Sequence, residues 1–563
     1  MALRNLPVTR SLVWGVFFIS VILIYVCTML FPFVHDEKFF ILLNPYIHSL
    51  DIKTIFQTEV FSTGEALVNS YYRPVLELIN RLLYRVFGPF PAGYHAFNFI
   101  LHFINGVLLF SVLKGWLKKN VTGSSLLSTH AAFWVSLLFL IHPVQTESVA
   151  CISGMSNIVY AFFILWCFLS YQKMENQSWW GLVLGLSFFA GLMAKEQAVA
   201  LPIVLFAADW LLGEKKIIQV VKNKWLIWTG LLVIFVLYFL FRRFVAHTAN
   251  EFYFFSFSEE LWLRVRVIPL TLLNYFKIII FPSGLHYYRS TDIFSPWAVP
   301  CLGLWMAALA VIWILQRMDP GRRRMAVFGL IWFFIFLLPV LNIVPLINEY
   351  SFILSAEHFL YLPLAGILIF FYAVGDAFVP TEQIQLRLNI CWLISAVFLT
   401  LSFLQVWMWR GEIPIFEKTI KYEPDFGRGR ELLGVAYADR GLYHKALEQY
   451  EVAGQRFLYY RSNTTLPAAK ILYGKFAGKV YYEAATAYLG LNQRIDALVM
   501  VKKSLRYYDT NIEALNLEGV IYSFSGQHKM AKKYYEKVLA IKPDNAAAQK
   551  NLDLCLKALK GGK

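Results

Sequence analysis

The chain has 563 residues, 58% of them hydrophobic and only 16% charged, with a formal net charge of +16. That balance is too apolar for a soluble domain of this length and requires burial in a bilayer. The positive charge does not mark a nucleic-acid binder, because Lys and Arg stand in short clusters between apolar runs, where they set membrane orientation. The six cysteines form neither a disulfide framework nor a zinc-ligand spacing.

The first apolar run, about Ser11 to Phe33, follows Arg4 and Arg10. It is too long for a signal peptide and lacks a small-residue cleavage site, so an uncleaved anchor is expected. Membrane spans are expected at 11–33, 94–113, 128–144, 156–172, 178–194, 197–212, 225–241, 297–316, 325–345, 358–376 and 388–409, eleven in all. A further apolar stretch, 262–282, contains Arg264, Arg266, Asn274 and Lys277, which are costly against lipid, and is expected to be an interfacial or re-entrant helix. With eleven spans, Lys114, Lys118, Lys119, Lys173, Lys215, Lys216, Lys222, Lys224, Arg317, Arg322, Arg323, Arg324 and Arg387 share the side of Arg4 and Arg10. The segments around Asp36, Arg73, His142, Glu147, Lys195, Tyr287, Glu357 and His358 then share the opposite, outer side, as does everything after Arg410.

Those outer exits carry the residues suited to chemistry. Asp36 and Glu37 leave the first span and open a long outer loop, 34–93. Neighbours in sequence do not share a helix face, so one carboxylate is expected as a base and the other as its orienter or a metal ligand. Tyr71, Tyr72, Arg73 and Pro74 follow, and Arg73 offers bidentate donors to a phosphate. His95, Asn98 and His102 lie on one helical face, able to line a polar cavity or to bond neighbouring helices. His142, Pro143, Thr146 and Glu147 close the third span, and Lys195 with Glu196 forms the link between the fifth and sixth. His286, Tyr287, Tyr288, Arg289, Glu349, Glu357, His358 and Tyr361 come last. Ionisable groups at membrane exits are functional candidates.

Beyond Arg410 the pattern changes to a 34-residue repeat, expected at 427–460, 478–511 and 512–545. Leu515, Gly519, Tyr522, Gly526, Ala531, Tyr535 and Pro543 fill the tetratricopeptide positions. Gly434, Tyr437, Gly441, Ala446, Tyr450 and Ala453 repeat them upstream, and Ala485, Tyr488 and Ala497 mark a weaker middle unit after an insertion near 460–477. A groove of this kind binds an extended peptide or protein. The expected fold is therefore all-α: a polytopic helical bundle over 1–410 and an extracytoplasmic tetratricopeptide solenoid over 411–563.

Several short segments, taken in order, resemble the transmembrane and tetratricopeptide-repeat (TMTC) proteins of the GT-C glycosyltransferase class. They are Asp36-Glu37, Tyr72-Arg73-Pro74, Gly93-Tyr94-His95 with Asn98 and His102, His142-Pro143 with Thr146-Glu147, Lys195-Glu196, Asn342, and Ala356-Glu357 with Tyr361-Leu362-Pro363. The resemblance implies a GT-C-like membrane fold, a catalytic acidic pair after the first span, a polyprenyl-phosphate-linked sugar (mannose in eukaryotic members) as donor, and protein Ser/Thr hydroxyls as acceptors. The chain departs from it at Met155-Ser156-Asn157, Glu357-His358 and Tyr287-Tyr288. On this basis Asp36, or else Glu37, is the expected base of an inverting transfer. Arg73, His95, His142, Glu147, Lys195, Glu357 and His358 are the expected donor phosphate and sugar contacts. A divalent metal is admitted without an identified ligand set. Expected partners are the lipid-linked donor, a protein docked on the repeats and membrane lipids. The expected location is a bacterial inner membrane with periplasmic repeats, or in a eukaryote the endoplasmic reticulum with luminal ones. Two rival readings stand at this stage, a GT-C enzyme glycosylating a lipid or glycan, and a non-enzymatic transporter or assembly scaffold.

Overall fold

The computed structural model describes residues 10–57, 72–120, 125–245, 257–290, 298–341, 354–379, 383–464 and 467–561. Arg4, Tyr71, Asn342 and Glu349 lie outside them. Contacts divide the described chain after Gly411 into a large helical bundle and a repeat unit that begins at Glu412.

In the bundle, α1 (Arg10–Tyr25) leads to α2 (Ile52–Gln57), α3 (Pro74–Phe87), α4 (Pro91–Asn120), α5 (Ser125–Ile141), α6 (Thr146–Ala150), α7 (Met155–Lys173) and α8 (Trp180–Ala194). It continues through α9 (Leu201–Ala207), α10 (Ile217–Asn223), α11 (Trp225–Val245), α12 (Phe257–Ile280), α13 (Ala298–Gln316), α14 (Pro320–Leu337), α15 (Pro363–Phe378) and α16 (Ile384–Val406). Among the described residues, six stretches, 10–30, 91–117, 152–173, 225–244, 320–340 and 384–410, are long and apolar enough to cross a membrane. Four more apolar helices, 129–141, 180–194, 300–316 and 363–378, are shorter. Segment 197–212, expected as one span, changes pitch twice: a 3₁₀ turn to Ala200, then α9, then a π-turn over Ala208–Leu212.

The helices meet at two opposite ends. At one, the exit of α1 bonds to Ile152 through Glu37, α5 bonds to α12 through His142, α7 to α8 through Asn157 and Lys195, and α16 to Leu285 through Gln405. At the other, α4 and α7 meet through Gln172, Tyr171 and Lys224 hold Asp209, and Asp376 holds Arg322 and Arg387. Phe241, near the end of α11, packs on Phe56 and Tyr72 at the first end, where α12 also finishes. The end of α11 and the end of α12 thus lie at the same end of the bundle. Helix α12 runs unbroken over 24 residues despite Pro269.

Helices α14 and α15 cross backbone to backbone. A Cβ on Gly329 would stand 2.5 Å from the Gly366 carbonyl oxygen, and one on Gly366 2.6 Å from that of Gly329. Small residues let helices approach this closely where lipid offers no hydrophobic drive. The outer face of α11 is apolar, with Trp225, Leu226 and Leu237 exposed, as befits a lipid-facing surface.

The repeat unit comprises α17 (Glu412–Tyr422), three antiparallel pairs α18 (Gly427–Ala438) with α19 (Tyr443–Asn463), α20 (Pro467–Gly490) with α21 (Arg494–Tyr507), α22 (Ile512–Phe524) with α23 (His528–Ile541), and α24 (Ala546–Gly561). Gly434 and Gly519 admit the rings of Tyr450 and Tyr535, which a Cβ would meet at 2.5 and 2.6 Å. The expected insertion near 460–477 is absorbed by lengthening α19 to 21 residues and α20 to 24.

Candidate functional site

The chain leaves α1 through a 3₁₀ turn, Val26–Leu30, and then turns at His35 with φ +44°. Positive φ is unusual for a residue with a Cβ and marks a backbone held by its surroundings. What holds it is Glu37. Its carboxylate is fully buried and accepts from the backbone N–H of Val34 at 2.8 Å, that of Ile152 at 2.6 Å and the Cys151 thiol at 3.2 Å. Burial pushes the Glu37 carboxyl up to about 7 even though those donors pull it down. Asp36 lies on the other side of the same turn, its side chain 25% exposed and Oδ1 3.3 Å from His35 Nε2. The two adjacent carboxylates thus have different environments: one is a buried tie, the other is partly exposed.

Across from His35 stands Tyr287, ring centroids 6.0 Å apart, and Tyr288 follows at 4.2 Å from Tyr287 and 6.5 Å from His358. Tyr288 has φ +49°, a second strained position for a bulky side chain. The turn is clamped by a two-residue antiparallel ladder, Arg289 with Ser355 and Ser290 with Leu354. It is also clamped by Glu357, which accepts from the His286 backbone N–H at 2.8 Å and from Arg289 Nη2 at 2.9 Å. Burial raises the Glu357 carboxyl although Arg289 opposes it.

His358 is held by Glu147 in two places: Nδ1 lies 2.6 Å from Oε1 and the backbone N–H donates to Oε2 at 2.9 Å. Burial works against the Glu147 charge, but His358 outweighs it and holds the carboxyl below its ordinary range. Lys195, at the end of α8, is buried between the rings of Phe359 and Tyr160 and donates to Asn157 Oδ1 at 2.5 Å. Burial, then repulsion by Arg73, lowers its ammonium to about 7. Arg73 grips Glu196 with Nη2 at 2.8 Å and Nε at 3.4 Å. Burial disfavours the Glu196 charge, yet Arg73 and Lys195 overcome this and hold the carboxyl near 2.

Other expected contacts are spent inside the bundle. His142 donates from Nε2 to the Ile279 carbonyl at 3.0 Å and accepts at Nδ1 from the Val144 N–H at 3.2 Å, so both ring nitrogens serve the backbone. Part of the polar face of α4 bonds to neighbouring helices. His95 is buried against Phe31, Asn98 donates to Cys151 O, and His102 joins Tyr361 Oη at 2.7 Å to Leu140 O at 3.0 Å. Among the described residues, no three His, Cys, Asp or Glu side chains converge as metal ligands. Residues whose partners emerge only in three dimensions are Asn157, Cys151 and Arg289. Their partners lie 38, 114 and 68 positions away, beyond any local spacing.

An apolar groove of about 400 Å³ opens on the bundle flank, lined by Phe188, Val199, Ile203, Phe206, Trp228 and Phe235 among others. Val199 lies in the same 3₁₀ turn as Glu196, so the groove starts beneath the Arg73–Glu196 pair and runs along the bundle.

The family model described as tetratricopeptide repeat matches residues 512–545. Human protein O-mannosyl-transferase TMTC4 is 28% identical over 447 residues, covering 67% of this chain and 57% of that protein. Mouse protein O-mannosyl-transferase TMTC3 is 31% identical over 175 residues, covering 30% of this chain and 18% of that protein. The matched stretch thus spans little more than half of the first relative and less of the second. A crystal structure of the MamA protein covers 26% of this chain and 72% of its own at 20% identity and TM-score 0.22, too low to establish a shared fold. Curated relatives of this chain are therefore TMTC-type protein O-mannosyl-transferases.

Proposed function

We propose that this TMTC relative is a membrane glycosyltransferase that moves a mannose-like hexose from a polyprenyl-phosphate donor to Ser/Thr hydroxyls of a protein recruited by the repeats. The observation that carries the reading is the asymmetry of the acidic pair. Glu37 is consumed as a buried tie, which leaves Asp36 partly exposed at a strained turn, beside His35, whose ring faces Tyr287. In the proposed step Asp36 takes the proton of the acceptor hydroxyl as its oxygen attacks the anomeric carbon. The bond from that carbon to the phosphate oxygen breaks on the opposite face, and polyprenyl phosphate leaves. His358, held by Glu147, and Lys195 supply positive charge for the departing phosphate, with Arg73 available once it exchanges Glu196 for the donor. Glu357 and Arg289 keep the Tyr287–Tyr288 turn in place beside the sugar, while His95 and His142 hold helices together.

The apolar groove below Val199 supports a donor with a long isoprenoid tail. Lys173, Arg317 and Arg322 stand at the far end of the bundle, so the positive-inside rule supports an extracytoplasmic site. That side is the periplasm in a bacterium and the lumen in the endoplasmic reticulum. A docked acceptor gains effective concentration at the site. The test is purified protein incubated with radiolabelled polyprenyl-phosphate mannose and a Ser/Thr peptide, beside Asp36→Asn. Label reaching the peptide only with Asp36 intact supports the reading. Label confined to lipid points to a lipid acceptor, and no transfer from any polyprenyl-phosphate sugar removes the assignment.

A further inference from the structure

Two helices that share an ion cluster part above it. Helix α5 packs on both α15 and α16, but α15 and α16 hardly touch each other. They are joined at the end away from the site, where Asp376 in the last turn of α15 takes the guanidiniums of Arg322 and Arg387. The gap between them is a crevice of about 200 Å³, walled by Trp134 and Leu138 of α5, Leu368 and Phe371 of α15, and Leu388 and Ile394 of α16. Asp376 and Arg387 line its charged end. Gly375 lies in its wall, where an added Cβ would meet nothing within 4 Å. From Leu368 to Asp376 the helix rises about 12 Å. At that length the volume is a slot about 4 Å across, which is the contact spacing of carbon atoms and so the width of one hydrocarbon chain.

The surroundings say what fills the slot. Helix α16 belongs to a stretch long and apolar enough to cross a membrane, and Phe371, Trp392 and Leu393 beside the crevice are exposed, so bilayer rather than water borders it. The charged end leaves positive charge over. Two guanidiniums meet the single carboxylate of Asp376, while Asp319, which also touches Arg322, has a side chain 46% exposed and is screened by solvent. Among the described residues, Arg387 Nε is a buried donor without an acceptor, a costly state for a charged group.

We propose that this crevice is a binding site for one phospholipid of the leaflet away from the site, with an acyl chain in the slot and the phosphodiester on Arg387 and Arg322 beside Asp376. The phosphodiester supplies the acceptor that Arg387 lacks and the charge that balances the second guanidinium. A neutral lipid with the same chains supplies neither. Helix α15 already crosses α14 backbone to backbone through Gly366. A lipid wedged against α16 therefore ties the last helix before the repeats to that pair.

The test uses the delipidated full chain in detergent and the rate at which N-ethylmaleimide alkylates Cys391, which lines the slot, against Cys301 on α13, read by peptide mass. Both thiols are half-buried. Dioleoyl phosphatidylglycerol at about ten times its Kd is expected to slow Cys391 about tenfold, because only the empty slot reacts, and to leave Cys301 unchanged. Dioleoylglycerol at the same concentration should slow Cys391 far less. Gly375→Leu, which fills the slot, should make the Cys391 rate independent of added lipid. No protection of Cys391 overturns the proposal, and equal protection by dioleoylglycerol overturns the phosphate grip. Stronger protection by polyprenyl phosphate than by phosphatidylglycerol also overturns it, since the slot then belongs to a carrier lipid. If Gly375→Leu fails to fold, the three lipids on the unaltered chain decide alone. The readout involves no sugar transfer, so it stands or falls independently of the proposed activity.

Discussion

Exchanging the two neighbouring carboxylates for amides, one at a time, separates chemistry from architecture. Asp36→Asn keeps shape and removes the base. General-base catalysis contributes about 10²–10⁴ in rate, or about 3–5 kcal/mol in the barrier. Asp36 is partly exposed and its contact with His35 at 3.3 Å is long, so thermal stability should change by less than about 1 kcal/mol. Glu37→Gln does the reverse. The carboxylate serves the Val34 N–H through one oxygen and the Ile152 N–H and Cys151 thiol through the other, whereas an amide offers one oxygen. At least one buried backbone N–H loses its acceptor, at about 1–3 kcal/mol. The assay is initial-rate transfer from radiolabelled polyprenyl-phosphate sugar, alongside thermal unfolding in detergent. The expectation is a slow, stable Asp36→Asn and an active, less stable Glu37→Gln. A folded Glu37→Gln without activity beside an active Asp36→Asn refutes the division of labour.

Lys195, with its ammonium near 7, should impose an alkaline limb on kcat/KM as it loses its charge above that pH. Lys195→Arg stays protonated, so the limb should move to higher pH, and an unchanged profile between pH 6 and 9 excludes Lys195 as the titrating cation. The folded value lies below the unfolded one, so the native state holds fewer protons between about pH 7 and 10.5, and at this position rising pH favours folding. Tyr288→Gly should relieve about 1–2 kcal/mol of strain at φ +49° yet lower the transfer rate, seen as higher thermal stability with reduced kcat. Gly366→Val drives a side chain into the Gly329 backbone and should abolish monodisperse protein on gel filtration, whereas Gly375→Ala, where a Cβ meets nothing within 4 Å, should not.

Much of the architecture could be read from periodicity. The change of pattern at Arg410 falls one residue before the division between units, because the apolar runs and the tetratricopeptide spacing obey different periods. Long apolar helices such as α4, α7 and α16 were legible for the same reason. Segment 197–212 was not, since two changes of pitch leave composition untouched. The polar face of α4 was legible as a face. That His102 bonds Tyr361 and Asn98 bonds Cys151 was not, because these partners lie 259 and 53 positions away. Nor could sequence separate Asp36 from Glu37, since adjacency hides the turn at His35 that sends one side chain inward and the other out. Arg73 illustrates the converse: its chemistry suits a phosphate, but Glu196, 123 positions later, already occupies it.

The tie made by Glu37 has a consequence for how the protein tolerates drift. Two of its three donors are peptide N–H groups, of Val34 and Ile152, which every residue except proline supplies. Positions 34 and 152 are thus free to vary among apolar residues without loosening the exit of the first helix, while position 37 requires two acceptor oxygens at that reach. In diverging copies of this chain the anchor point should persist while the residues it grips change around it, and proline should be the substitution never seen at either.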